Sequence, residues 1–196
     1  MFKTLQTLVL ASESPRRKRL LQSVGIEFRV EPSRIDESGM LPGTSSEVAE
    51  KWASLKAASV SALFPRFWIL AADTIVVLDG EIFGKPSDRS EAVEMLGRLS
   101  GQVHEVITGM SLVNAAADFR RTGSVTTRVR FKRLSHDEIE AYVRTTEPMD
   151  KAGGYGIQGI GAFLVESIEG SYTNVVGLPL CETIEWLAER NVIEAG

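Results

Sequence analysis

Cysteine is nearly absent. Cys181 stands alone in 196 residues, so no intrachain disulfide framework can form, which suits a reducing compartment, and a zinc site built on several cysteines is excluded. Cys181 is expected to pack as a small buried apolar group rather than to act as a nucleophile. Histidine is scarce too: His104 and His136 fall in different predicted elements, a strand and a helix start, and offer no metal-ligand spacing. No window approaches the roughly 18 consecutive apolar residues that a membrane span needs. The stretch Met1 to Leu10 lacks the apolar core and cleavage site of a secretory leader, so a cytoplasmic protein with no membrane partner is expected. Positive charge is not in excess. Twenty-two Lys and Arg against 26 Asp and Glu leave a formal net charge of -4, which argues against broad nucleic-acid binding while leaving room for a local basic site. There is no Walker-type Gly…Gly-Lys-Ser/Thr, no Gly-x-Ser-x-Gly elbow, no internal repeat, no low-complexity segment and no linker long enough to separate independent domains.

What is present is ordinary globular material, 43% hydrophobic and 24% charged, enough to bury a sizeable core in one large domain or two closely packed lobes. Thr7–Ala11 reads as a buried strand. Ser14 then caps a helix with Pro15 at its first position, where the missing N–H costs nothing, and Gly25 ends it. Ile26–Val30 alternates as a second strand, and Glu31 to Pro42 reads as a loop. Thr44 and Glu47 have capping-box spacing for a helix to about Leu63. Trp68 to Leu78 is the strongest strand signal, followed by an Asp79-Gly80 hairpin turn and a return strand Glu81–Phe83. Helices are expected over Ser90–Leu99, from Ser135 to about Thr145 and over Leu180–Arg190, and strands over Val103–Val113, Ser124–Phe131 and Ala162–Ile168. Strands and helices alternate early and longer strand pairs follow, which predicts a mixed α/β sheet rather than a sandwich or a bundle. Trp52, Trp68 and Trp186 read as packing residues.

Ser12-Glu13-Ser14-Pro15-Arg16-Arg17 follows a strand and opens a helix. The unpaired N–H groups and partial positive charge of a helix N-terminus make a ready phosphate site, to which hydroxyls and the guanidinium forks of Arg16 and Arg17 can add. Plain capping by Ser14 with two solvated arginines is the equally weighted alternative. Lys18 and Arg19 read as solvated surface.

Asp73 is the outstanding acid, because it sits inside the apolar run Ile69 to Val77, where an unpaired carboxylate would be costly. A metal, a lysine or an attacking water would explain it; so would backbone N–H groups at a strand irregularity. On local pattern alone Glu37 reads as a solvated loop acid, Lys56 as a snorkelling surface lysine and Lys85 as an exposed turn lysine. Gly154 to Gly159 matches G-x-G-x-x-G, but the dinucleotide fingerprint must follow a strand and open a helix, and this segment does neither. It reads instead as a close-approach loop in which Tyr155 could stack on a base and Gln158 could read a base edge through its amide, or as a loop whose glycines serve only tight turns.

Taken in order, Leu10-Ala11-Ser12-Glu13-Ser14-Pro15-Arg16-Arg17, Ile35-Asp36-Glu37, Ala72-Asp73-Thr74-Ile75-Val76, Gly84-Lys85-Pro86, Asp150 to Gly159, Gly170-Ser171-Tyr172 and Val175 to Leu180 resemble the Maf family of nucleotide pyrophosphatases over nearly the whole chain. The resemblance implies one such domain over residues 1–196. It implies an elongated mixed α/β sheet with two lobes and a central cleft, similar to inosine triphosphate pyrophosphatases. It further implies hydrolysis of a nucleoside triphosphate to monophosphate and pyrophosphate, with a divalent cation (Mg2+ or Mn2+) and a homodimer. By match, Asp73 is the proton acceptor, Ser12, Arg17, Glu37, Lys56 and Lys85 line the phosphate and metal side, and Arg16, Thr74 and Gln158 take the specificity positions. Glu37 and Asp73 are the expected metal ligands. Thr74 and Gln158 resemble the branch acting on dTTP and UTP, since a neutral amide can both donate to and accept from a uracil or thymine edge, whereas a carboxylate suits a cationic methylated purine. Glu13 departs from the family pattern, in which a small residue is common. Two other readings stay open: a 7-methyl-GTP or modified-purine pyrophosphatase, and a nucleotide-binding regulator of septum formation that does not hydrolyse.

Overall fold

Strand β1 (Phe2–Thr4) pairs antiparallel with β9 (Ile193–Ala195), with Phe2 opposite Ala195, so the two chain ends close a small sheet of their own. The computed structural model describes residues 1–37, 39 and 41–196. Ser38 and Met40, within the loop expected over Glu31–Pro42, lie outside the described residues. The other strands, β2 (Leu8–Leu10), β3 (Arg29–Val30), β4 (Trp68–Leu78), β5 (Glu81–Phe83), β6 (Val103–Asn114), β7 (Phe119–Phe131) and β8 (Val165–Glu169), form one sheet in the order β3-β2-β4-β6-β7-β8, with β5 on β4. The β2 strand runs parallel to both β3 and β4, whereas β4–β5 and β7–β8 are antiparallel. The sheet is therefore mixed, as the alternation of elements predicts. The helices are α1 (Pro15–Ser23), α2 (Ser45–Ser61), α3 (Arg89–Leu99), α4 (His136–Arg144), α5 (Tyr172–Val176) and α6 (Leu180–Glu189).

The chain divides into two units. The first comprises Met1–Asp73, Thr108–Val125 and Gly177–Gly196, and the second Thr74–Ile107 and Thr126–Val176. In the first unit the pleat of β4 serves two cores. Leu70 and Ala72 join Leu8, Leu10, Met110, Leu112, Trp186 and Leu187, while Ile69 and Ala71 join Val9, Val113 and, from α2, Ala57 and Val60. Ala49, Ala53 and Ala57 of α2 are fully buried at helical spacing, and small side chains let the helix lie close. The closest approach is at Gly109 of β6, where a Cβ would fall 2.3 Å from the Ala49 backbone. The second unit packs Val76, Leu78, Phe83, Leu96, Leu99, Val129, Tyr142 and Val143 around a ring cluster in which Tyr155 and His104 both meet Phe131 edge-on.

Several expectations change. The β7 strand begins at Phe119, not Ser124, because the connection from β6 is a tight turn: Asn114 caps Ala115–Ala117 and Asp118 takes a positive φ of 50°. Its polar start is absorbed by stacking, with the Arg121 guanidinium over Trp186 and Phe119 against Trp68. Of the strand expected over Ala162–Ile168, the first three residues belong to a 3-10 segment, Gly159–Leu164, and the remainder lies in β8. The β1–β9 pair and α5 carry no local signal strong enough to predict them, β1 and β9 being three-residue strands from opposite ends of the chain. Cys181 is exposed, contrary to expectation. The buried stripe of α6 is Thr183, Trp186 and Leu187, and Cys181, two residues before Thr183, falls on the opposite side of the helix. Trp68 and Trp186 are buried, as expected of packing residues. Among the described residues no helix is long and apolar enough to cross a membrane.

Candidate active site

In the first unit the chain leaves β2 at Ala11 and turns at once into α1. Ser14 caps the helix by accepting from the Arg17 N–H at 3.5 Å, and Pro15 fills the first helical position. Ser12 is buried, and its Oγ accepts from the Ser14 N–H at 3.2 Å and from Arg17 Nη1 at 3.1 Å. Arg17 also donates from Nε to the Gly177 carbonyl at 2.7 Å. With two acceptors on two sides, the Arg17 fork is held in one orientation. Burial lowers the Arg17 pKa from its usual value, and the neighbouring Arg16 adds to this; the charges of Asp73 and Glu37 act on the same guanidinium and oppose the shift. Arg17, Arg16, Asp73 and Glu37 thus form one electrostatic group.

Asp73 and Lys56 reach this group from two elements, β4 and α2. Asp73 shares the β4 face of Ile69 and Ala71, four and two residues earlier, and that face packs against α2. Helix α2 is started by a full capping box, Thr44 accepting from Glu47 N–H while the Glu47 carboxylate accepts from Thr44 N–H at 2.8 Å. Its buried stripe runs Val48, Ala49, Ala53, Lys56, Ala57 and Val60, so the helix presents Lys56 inward, towards Asp73. Lys56 Nζ lies 2.6 Å from Asp73 Oδ1 and 2.7 Å from Glu37 Oε2. The Lys56 and Asp73 side chains are 9% and 13% exposed and that of Glu37 50%, so one buried ammonium bridges a buried carboxylate and a half-open one. The local reading of Lys56 as a surface lysine is corrected: the alanine stripe carries it into the interior. Glu37 is exposed, as a loop acid should be, yet it is paired.

Ser12, Arg16, Arg17, Glu37, Lys56 and Asp73 therefore all belong to the first unit. Thr74, Lys85 and Gln158 belong to the second. Thr74 follows Asp73 on β4 and is half-buried, while Lys85, just after β5, and Gln158, in the glycine-rich loop, are exposed. Glu13 faces solvent. Tyr155 is only 5% exposed and hydrogen-bonds His104 Nε2 at 2.7 Å. It is a core residue, and the expectation that it could stack on a base is withdrawn. The glycine-rich segment does not open an α-helix, in keeping with rejection of the dinucleotide fingerprint. Sequence reasoning missed the Gly177 carbonyl as the anchor of Arg17, because a backbone acceptor 160 residues away leaves no local signal.

The model of the family described as "Maf-like protein" matches residues 7–190. This chain belongs to the Maf family. Family relatives include a protein of Syntrophus aciditrophicus named dTTP/UTP pyrophosphatase, 49% identical over 184 residues, covering 94% of this chain and 90% of the relative. Another of the same name, from Symbiobacterium thermophilum, is 51% identical over 185 residues, 94% of each chain. Among solved structures, a HAM1 protein from Coxiella burnetii aligns with a TM-score of 0.52 at 18% identity, over 94% of this chain and 100% of that one, which is a likeness of fold.

The donor chemistry of this Maf chain fits a hard divalent cation. Among the described residues no group of three or more His, Cys, Asp or Glu could hold a metal by itself. Glu37 and Asp73 supply two carboxylates converging on one cation, Lys56. Mg2+ is commonly held by one or two carboxylates with substrate phosphate oxygens and water completing its shell, so two carboxylates in the electrostatic neighbourhood of Arg17 would be a sufficient protein contribution.

Proposed function

We propose that this chain is a nucleoside triphosphate pyrophosphatase. It hydrolyses dTTP and UTP, with CTP and modified pyrimidine nucleotides as further candidates, to the monophosphate and pyrophosphate, and so serves to clean the nucleotide pool. The single observation that carries the reading is Lys56 held between Asp73 and Glu37 in the same electrostatic group as the Ser12-anchored Arg17. The names of the relatives at 49% and 51% identity support the substrate class.

In this reading the triphosphate oxygens meet the start of α1 and the Arg17 fork, which Ser12 and Gly177 have already oriented, so little ordering remains to be done on binding. Lys56 fixes the Asp73 carboxylate in one position. Asp73 accepts the proton of a water whose oxygen attacks the α-phosphorus; the bond from that phosphorus to the bridging oxygen breaks, and pyrophosphate leaves with the electron pair. A Mg2+ or Mn2+ ion on Glu37 and Asp73 would neutralise charge on the phosphate oxygens. Lys85 is the proposed further cation for the departing pyrophosphate. Arg16, Thr74 and Gln158 are the proposed specificity residues, with the Gln158 amide both donating to and accepting from the pyrimidine edge. We further read residues 1–196 as one Maf-type domain, acting as a cytoplasmic homodimer.

The test is pyrophosphate release from a panel of dTTP, UTP, CTP, 7-methyl-GTP and ITP with Mg2+ or Mn2+. Turnover led by dTTP and UTP supports the reading. Turnover confined to the purines overturns the substrate class, and tight dTTP binding without pyrophosphate release overturns the enzyme in favour of a binding protein.

A further inference from the structure

The glycine-rich loop of the second unit is held from below by one carboxylate and one hydroxyl. Glu147 follows α4, and its Oε1 accepts from the Tyr142 hydroxyl at 2.9 Å and from the Gly161 N–H at 2.9 Å, while its Oε2 accepts from the Ile160 N–H at 3.1 Å. The same Tyr142 hydroxyl accepts from the Gly156 N–H at 3.3 Å. Gln158 stands midway between these anchors, two residues after Gly156 and two before Ile160, with its side chain exposed. The backbone of Glu147 is tied down in turn: Lys151 Nζ donates to its carbonyl at 2.6 Å and to Asp150 Oδ1 at 2.6 Å.

The glycines record how closely the loop is drawn in. A Cβ at Gly161 would fall 2.4 Å from the Tyr142 hydroxyl oxygen and 2.5 Å from the Gly156 carbonyl oxygen. One at Gly159, where φ is +77°, would fall 2.9 Å from Glu147 Oε2. Gly159 and Gly161 are therefore required because the loop closes there onto these two side chains.

We propose that Glu147 and Tyr142 are positioning residues that hold the Gly156–Gly161 loop in one conformation and thereby aim Gln158 at the nucleotide base. This rests on the pyrimidine pyrophosphatase reading above. The carboxylate is specified by acceptor count. Glu147 takes three donors on two oxygens, whereas an amide has one acceptor oxygen and would turn its NH2 against an N–H or the hydroxyl. Lys151 fixes the backbone on which Glu147 sits, and its stem also packs against Gly156, where a Cβ would fall 2.8 Å from Lys151 Cε; the acceptors for the loop N–H groups are nevertheless Glu147 and Tyr142. Neither Glu147 nor Tyr142 needs to touch substrate.

The experiment uses Glu147→Gln and, in parallel, Tyr142→Phe, which removes only the hydroxyl and keeps the buried ring. Amide hydrogen exchange and steady-state dTTP hydrolysis are measured on both variants and on the unaltered chain. In Glu147→Gln the Ile160 and Gly161 amides, and in Tyr142→Phe the Gly156 amide, are expected to exchange at least about tenfold faster, with α3 amides unchanged, the size expected for a lost hydrogen bond to a charged or buried acceptor. KM for dTTP is expected to rise about tenfold with kcat within about threefold, and inhibition by inorganic pyrophosphate to be unchanged. Unaltered exchange at these amides, a fall in kcat at constant KM, or parallel loss of pyrophosphate inhibition overturns the proposal. An unaltered chain that does not turn over dTTP or UTP overturns the functional reading instead, and the clamp then stands or falls on the amide exchange alone.

Discussion

The Lys56 ammonium sits 2.6 Å from the Asp73 carboxylate, and it reaches that position because one face of α2 and one face of β4 share a core. Both side chains are largely withdrawn from water, so neither charge can be removed without consequence for the other. Lys56→Met is expected to lower stability by about 2–3 kcal/mol, the scale for leaving one member of a buried pair without its partner, with the Glu37 share discounted because that carboxylate is half exposed. Urea denaturation of the variant checks this. A loss below about 0.5 kcal/mol would mean that Asp73 is satisfied without the lysine.

Gly109→Ala tests the packing that delivers Lys56. Its Cβ would meet the carbonyl carbon and oxygen of Ala49 at 2.3 Å, atoms of a helix backbone that cannot swing aside like a side chain. A loss of at least about 3 kcal/mol is expected, and any protein that still folds should have lost activity as α2 shifts. Denaturation midpoints with pyrophosphate release on the same samples give both readings. Native stability in the alanine variant would show that the two elements are not in contact at this point.

How much of this could be read beforehand differs by residue. Asp73 was legible because an acid inside a β-branched apolar strand must have a partner, and its 9% exposure bears out the burial. Lys56 was legible in principle: Ala49, Ala53 and Ala57 mark the buried face of α2, and Lys56 falls within it. Judged beside its immediate neighbours alone, it looked like surface. Glu37 had no local signal, and only the resemblance to the Maf family singled it out. The Gly177 carbonyl and the Glu147 carboxylate were invisible, since their roles are to accept hydrogen bonds from backbone or side-chain groups brought close by the fold. The mixed sheet was predictable from the alternation of elements. The early start of β7 was not, because Phe119 to Ser124 is mostly polar and gives no apolar alternation to read, its half-buried Arg121 being accommodated by stacking on Trp186.

His104 should make stability depend on pH. Burial pushes its imidazole down to about 4 from the usual 6.5. Between these values the unfolded chain holds the proton and the folded chain does not, so stability is full above about pH 6.5 and declines as the pH falls towards 4. The decline amounts to up to about 3 kcal/mol for a shift of this size. Urea titrations at pH 7.5, 6 and 5 check this, and His104→Gln should remove the slope between pH 6.5 and 5. A slope that persists in the variant would assign it to other groups.

Chelation tests the two-carboxylate reading. Exhaustive treatment with EDTA is expected to bring pyrophosphate release to background, and Mg2+ or Mn2+ to restore it. The fold should survive, because no described group of three or more ligands builds a structural metal site. Full activity in excess chelator would remove the ion from Glu37 and Asp73.

The most direct test of the whole account is the rate of pyrophosphate release from saturating dTTP by Asp73→Asn beside the unaltered chain. The amide keeps the size and shape of the carboxylate and loses its capacity to take a proton. A fall of well over about 100-fold, the scale of general-base catalysis, is the predicted result. A rate within a few-fold of the unaltered chain would contradict it.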